Sequence, residues 1–243
     1  MKSNQKKVYL SMLLLLLFGC LWMIYNIHYL KVKQVDPSYP LIIDVSGSVD
    51  GYLSIKNLLT IYIIPLLLFY RFFIDDEHPH ILVRLTSRVH IYRRRTIQVF
   101  ISSFIYALGI LLINFTGVFI FDRFHFISSN YWNICLLNLA LLTCVYFSIG
   151  MLFYYIFDYS NSIIAMAGTF FICFLLYMMK SYLNIHWTPA SALNIIDPFL
   201  SSGMSGHQSL MMIGKELLLS IVMILLGLFA IEKKDFIVEV SND

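Results

Sequence analysis

Charge is what this chain has least of. Only 13% of its 243 residues are Asp, Glu, Lys or Arg and 59% are hydrophobic, whereas a soluble globular domain carries about 25% charged residues. That balance excludes an ordinary soluble domain and indicates a polytopic membrane protein. Recognisable chemistry is scarce too. No Gly-rich loop ends in Gly-Lys-Ser/Thr, since Gly214-Lys215-Glu216 lacks both the upstream glycine and the hydroxyl, so the chain is not expected to hydrolyse ATP by itself. There is no His-Glu-x-x-His, and no pair of carboxylates within the apolar runs that would point to a protease or a proton relay. The densest group of metal-capable side chains is Asp75, Asp76, Glu77, His78 and His80. It lies where an apolar run ends, with Pro79 inside it, and reads as a solvated helix end rather than a metal centre. The four cysteines, Cys20, Cys135, Cys144 and Cys173, fall within apolar runs without the spacing of a metal knuckle, and read as packing residues. No catalytic residue, cofactor site or metal ligand is expected in this chain.

What is present is long apolar runs. A helix needs about 20 apolar residues to cross the hydrocarbon core. Six runs approach or exceed that length, at about 8–27, 58–74 with Pro65 inside it, 96–121, 133–157, 163–179 and 211–231. The last is centred on Leu217 to Ile231, with Lys215 and Glu216 marking its outer end. Their unbroken apolarity argues against the alternating pattern of a membrane barrel, so the expected fold is all-α, a single domain of six transmembrane helices. The first run follows Lys2, Lys6 and Lys7, and Leu17-Phe18-Gly19-Cys20 resembles a lipoprotein cleavage box. Apolarity nevertheless continues through Ile27 without a polar break, which favours a retained helix.

Orientation follows from the retention of positive charge on the cytoplasmic side. With the N-terminus inside, Lys2, Lys6, Lys7, Arg71, Arg84, Arg88, Arg93, Arg94, Arg95, Lys233 and Lys234 are cytoplasmic, eleven of the seventeen basic residues. The other six, Lys31, Lys33, Lys56, Arg123, Lys180 and Lys215, are spread over longer outer segments. Both termini are therefore expected in the cytoplasm, and the protein in the cell membrane.

Within the spans, Ala140, Cys144 and Ser148 recur every four residues as a small-residue stripe, which lets helix backbones approach closely. Asn114 and Asn138 are amides able to hydrogen-bond across helices; Asn114 also opens a glycosylation sequon, discarded because it lies in mid-span. Pro65 is expected to kink the second helix. The outer loop 28–56 carries a short strand-like run, Leu41 to Val45, and has no assigned role.

The basic segment Ile81 to Arg95, within the loop 75–95, is the feature that reaches toward a partner. Ile81, Leu85, Val89 and Tyr92 recur at intervals of four, four and three while Arg84 and Arg88 share another face, giving an amphipathic helix of about three turns. It suits an anchor on anionic headgroups. It also suits a docking helix whose apolar ridge fits a groove on a soluble protein, although charge alone favours the anchor, since most basic loops only orient the protein. Nucleic-acid binding fits poorly, because the segment is short and tethered at the membrane.

Six spans with both ends inside, a coupling-type helix between spans two and three, and a long outer segment between spans five and six resemble the type-2 ABC exporter permeases. The resemblance is sharpest to the small bacterial permeases of bacteriocin and antimicrobial-peptide export or immunity. Val83-Arg84-Leu85-Thr86-Ser87-Arg88 and the close Glu232-Lys233-Lys234-Asp235-Phe236 look like segments of that family. It implies a homodimer or heterodimer working with two copies of a separate ATPase that carries the ATP and magnesium. Ile81, Arg84, Leu85, Arg88, Val89 and Tyr92 would then contact the ATPase. Within the outer segment 180–212, short re-entrant helices with Trp187, Pro189, Asp197 and Pro198 would form an outer gate. An interfacial loop anchored by Trp187 and Phe199 suits the same residues. The chain departs from the family in having only seven residues before the first span, too few for an amphipathic interface helix. Aromatic residues, 16% of the chain, suit a peptide or amphipathic cargo as well as interfacial belts. The alternative is a membrane protein outside transport, such as an immunity factor or a sensor's membrane domain, in which the basic helix only anchors.

Overall fold

The computed structural model describes residues 2–36, 39, 41, 45, 51–73, 88–123, 127, 131–183, 193 and 206–233. In hydrocarbon a backbone amide finds no water, so apolar runs close their hydrogen bonds internally. Among the described residues the α-helices of ten residues or more are, in chain order, α1 (Lys2–Val35), α2 (Ile63–Phe73), α3 (Arg88–Phe121), α4 (Tyr131–Phe157), α5 (Ser162–Ser181) and α6 (Gly206–Lys233). No strand occurs among the described residues. Five of the helices contain stretches long and apolar enough to cross a membrane: Tyr9–Val35, Tyr92–Phe121, Tyr131–Phe157, Ser162–Ser181 and His207–Phe229. The chain is a multi-pass, all-helical membrane protein.

The expected second span is the exception, because Asn57–Phe72 is a shorter apolar helix. It opens with a π-turn, Asn57–Ile61, in which the Tyr62 N–H reaches the Asn57 carbonyl at 2.9 Å. Pro65 has no N–H to give, and it sits in the first turn of α2, where none is needed. The irregularity expected at Pro65 thus takes the form of a π-turn just before it. The strand expected over Leu41 to Val45 is also corrected. Its two described residues, Leu41 and Val45, are helical and fully buried. A spacing of four suits either period, and packing against the core overrides a β-branched composition.

Helix α4 is the centre of the bundle, with 67% of its apolar window buried, against 11% for α6 at the periphery. Around it the core is aromatic. Tyr52, Tyr62, Tyr70, Tyr106 and Tyr146 are among the largest fully buried side chains, and the hydroxyls of three of them, Tyr62, Tyr70 and Tyr106, donate to main-chain carbonyls, while those of Tyr52 and Tyr146 have no hydrogen-bond partner among the described residues. Tyr62 donates to the Tyr52 carbonyl at 3.1 Å, Tyr106 to the Tyr62 carbonyl at 2.6 Å, and Tyr70 to the Tyr146 carbonyl at 2.7 Å. Gly150 makes the last of these crossings feasible: a Cβ there would come within 2.6 Å of Val99 Cγ1 and 2.8 Å of Tyr70 Cζ.

Polar links join the helices along one end. Trp22 Nε1 donates to Asn114 Oδ1 at 3.1 Å, and Asn114 Nδ2 donates to Tyr131 Oη at 2.7 Å, so one amide connects α1, α3 and α4. The Trp22 ring lies over Gly117, where an added Cβ would meet Trp22 Cη2 at 2.9 Å. Just beyond α3, the carboxylate of Asp122, buried at 2% exposure, pairs with Lys33 at 2.9 Å. The cross-helix role expected of Asn114 is realised. Asn138 is buried, and its Oδ1 has no hydrogen-bond partner.

Candidate functional site

The basic residues Arg88 to Arg95 are not a separate surface helix. They form the first two turns of α3, continuous with its membrane-spanning part. No proline and no glycine interrupts the run before Gly109, so nothing in the backbone chemistry ends a helix at the water boundary. Arg88 opens α3. Ile81, Arg84 and Leu85 lie outside the described residues, as do Trp187, Pro189, Asp197 and Pro198 of the expected outer gate. Leu193, within that outer segment, is buried at 2% exposure.

The expected ridge divides where α3 meets the bundle: Val89 is 51% exposed, while Tyr92 is 6% exposed. Tyr92 is therefore a contact within the chain. Its hydroxyl donates to the Ile224 carbonyl of α6 at 2.7 Å, and its ring occupies the space a side chain at Gly227 would take, within 2.8 Å of Cζ. His90, Arg93 and Arg94 remain exposed on the same two turns.

One turn further on, Arg95 locks α3 to the turn between α4 and α5. Its Nη1 donates to both carboxylate oxygens of Asp158, at 2.8 and 2.9 Å, and its guanidinium lies 5.2 Å from the Tyr154 ring centroid. The turn is short and well formed because Asn161 caps α5, its Oδ1 accepting from the Ile164 N–H at 2.9 Å. Tyr154 in turn donates to the Tyr70 carbonyl of α2 at 3.3 Å. The basic end of α3 is thus fixed to α6, α4 and α2, while Val89, Arg93 and Arg94 face outward. Chemically this end offers the exposed cations Arg93 and Arg94, the His90 imidazole and one exposed apolar side chain, Val89.

A second polar locus was not legible as a site. Glu216 was expected to mark the outer end of the last span, yet it lies ten residues after Gly206 and seventeen before Lys233. It is fully buried, and neither carboxylate oxygen has a hydrogen-bond partner. Its neighbourhood is the small-residue stripe of α4. Ser148 Oγ is 3.1 Å from Ser220 Oγ, and Ser220 donates to the Glu216 carbonyl at 2.9 Å, with the Cys144 carbonyl 3.4 Å away. The spacing Glu216-Ser220 on one helix, set against Cys144-Ser148 on another, was the available clue.

No group of three or more His, Cys, Asp or Glu able to hold a metal ion occurs among the described residues, and the four cysteines are free. The cluster Asp75 to His80 lies outside them. In comparison with known proteins the chain matches no family model, no curated protein and no solved structure.

Proposed function

We propose that this chain is the membrane-spanning subunit of an ATP-driven ABC exporter, moving a peptide or other amphipathic compound and powered by a separate ATPase. The observation that carries the reading is the construction of α3. A 34-residue helix begins with outward-facing Val89, Arg93 and Arg94 and is bolted by Tyr92 to α6 and by Arg95 to the α4–α5 turn and the Tyr154 ring of α4, which in turn reaches α2. A push delivered at that end reaches α2, α4 and α6 together, as a lever for an external motor requires. A headgroup anchor needs the arginines but has no use for the rigid attachments behind them.

In this reading Ile81, Arg84, Leu85, Arg88 and Val89 meet the ATPase, and Tyr92 passes the movement to α6. Both termini lie in the cytoplasm, a second permease copy completes the assembly, and ATP and magnesium stay on the partner. The test is purification of the tagged full-length chain from its own membranes. The expected result is a co-purifying Walker-type ATPase that is lost in the double substitution Leu85→Asp, Arg88→Glu, with membrane insertion unchanged. Unchanged recovery of the ATPase, or absence of any ATPase with the unaltered chain, overturns the proposal.

A further inference from the structure

Helix α6 is built inside out. Leu217, Leu218, Ile221, Val222, Leu225, Leu226 and Phe229 are exposed, as lipid-facing residues should be, whereas the two residues of the helix that are buried are Glu216 and Ser220 among those whose side chains are described. Of the fourteen acidic residues of the chain, Glu216 alone falls inside an apolar helical stretch of the described residues. The stripe it faces is in the middle of α4: Cys144 is the fourteenth of that helix's 27 residues. Glu216 is therefore deep in the membrane, remote from either surface.

Among the described residues, no cation on a neighbouring helix pairs with the carboxyl. From α4 the Cys144 thiol is within electrostatic reach of the carboxyl, and one turn along α6 Ser220 meets the Ser148 hydroxyl and the Cys144 carbonyl; none of these is a cation. Helix α3 meets α6 through Tyr92 at Ile224 and Gly227, eight to eleven residues further along, about 12–17 Å on the helix axis. The charges of α3 lie at that end, where Arg95 is paired with Asp158 and Arg93 and Arg94 are exposed. On α6 itself, Lys215 bears on the carboxyl electrostatically, but side chains one residue apart leave a helix on different faces and do not meet. An ionised carboxylate held here would have neither a donor nor a paired charge, the arrangement membrane interiors tolerate least. A proton neutralises it and requires no cavity, no counter-ion and no further donor.

We propose that Glu216 is an intramembrane proton-binding site, protonated while α6 is seated on the Cys144-Ser148 stripe and ionised when α6 lifts away, so that proton release and helix movement are one event. The seat combines the Ser148–Ser220 and Ser220–Cys144 contacts and the Tyr92 hydrogen bond with the partly buried Met212, Ile213, Met223, Ile224 and Leu228, which pack against the core, while 11% of the α6 window is buried. The inference stands on this chain alone and does not depend on an ATPase partner.

Two measurements on the full-length chain in lipid nanodiscs test it. In infrared spectra near neutral pH, a protonated-carboxyl C=O band is expected in the unaltered protein and absent in Glu216→Gln. Its presence unchanged in Glu216→Gln, or its absence from the unaltered protein, overturns the proposal. The second measurement is the α4–α6 distance, read by electron paramagnetic resonance between spin labels at Leu136→Cys and Leu225→Cys, two lipid-exposed positions, with Cys20, Cys135 and Cys173 replaced by serine and Cys144 by alanine, which keeps the backbone carbonyl that meets Ser220 and adds no polar group to the seat. The ratio of lifted to seated molecules is expected to rise about tenfold per pH unit. Glu216→Gln and Glu216→Ala should remain seated throughout. A pH-independent distance in the Glu216 protein overturns the proposal even where a variant fails to fold, and so does the same pH response in a folded Glu216→Gln protein.

Discussion

The contact between Tyr92 and Gly227 makes a prediction whose sign depends on the partner residue. In Gly227→Ala, the new methyl would occupy space held by the Tyr92 ring, within 2.8 Å of Cζ and closer still to the hydroxyl. Tyr92 would have to withdraw and surrender its 2.7 Å hydrogen bond to the Ile224 carbonyl. Overpacking of this kind costs about 1–3 kcal/mol, and the lost intramembrane hydrogen bond about another 0.6 kcal/mol. Against this, replacing glycine by alanine inside a helix gains up to about 1 kcal/mol. The net expectation is a destabilisation of roughly 1–3 kcal/mol by combining these terms. In a Tyr92→Leu background the ring is gone, and the same substitution is expected to be neutral or stabilising by up to about 1 kcal/mol. Equilibrium unfolding of the detergent-solubilised chain, followed by helical circular dichroism in the four members of the double-mutant cycle, measures both effects. Equal damage from Gly227→Ala in both backgrounds, or none in the native one, would refute the reasoning.

Two further substitutions probe the polar links between helices. Asn114→Leu removes the partner of both Trp22 Nε1 and Tyr131 Oη. A loss of about 1–2 kcal/mol is expected in the same unfolding assay, and the losses from Asn114→Leu and Tyr131→Phe should combine to less than their sum, because both remove the same bond. Asp158→Asn leaves Arg95 without its counter-charge at a partly exposed site, with side chains 24% and 19% accessible. The expected loss is about 1 kcal/mol or less, shrinking as salt is raised; a loss insensitive to salt would show that the pair is not what holds the α4–α5 turn to α3.

The extent of α4 and α5 was legible in the sequence almost to the residue, because apolarity along a span is a local property: 133–157 against Tyr131–Phe157, and 163–179 against Ser162–Ser181. The second run was legible in extent too, 58–74 against the apolar helix Asn57–Phe72, but its π-turn ahead of Pro65 was not, since composition alone presents the run as uniform. The amphipathic pattern over Ile81 to Tyr92 identified a basic element without revealing that Tyr92 turns inward, because the space that receives it is a glycine 135 positions away in the chain. Glu216 shows the opposite failure. A charge beside a lysine reads as a boundary with water, and only the facing Cys144 and Ser148, supplied by another helix, make its enclosure visible.

Helix α3 is seated twice, by its own Tyr92 in the hollow at Gly227 and by the Trp22 ring over its Gly117, positions 25 residues and about 38 Å apart along the axis. A tilt of only about 5° about one seat would carry the other by roughly 3 Å on this straight-rod geometry. That displacement is comparable to the whole length of the Trp22–Asn114 hydrogen bond, 3.1 Å. The helix therefore has almost no amplitude for gradual motion: it can slide or rotate about its axis within small limits, and any larger swing must empty one hollow completely, so that its positions are discrete.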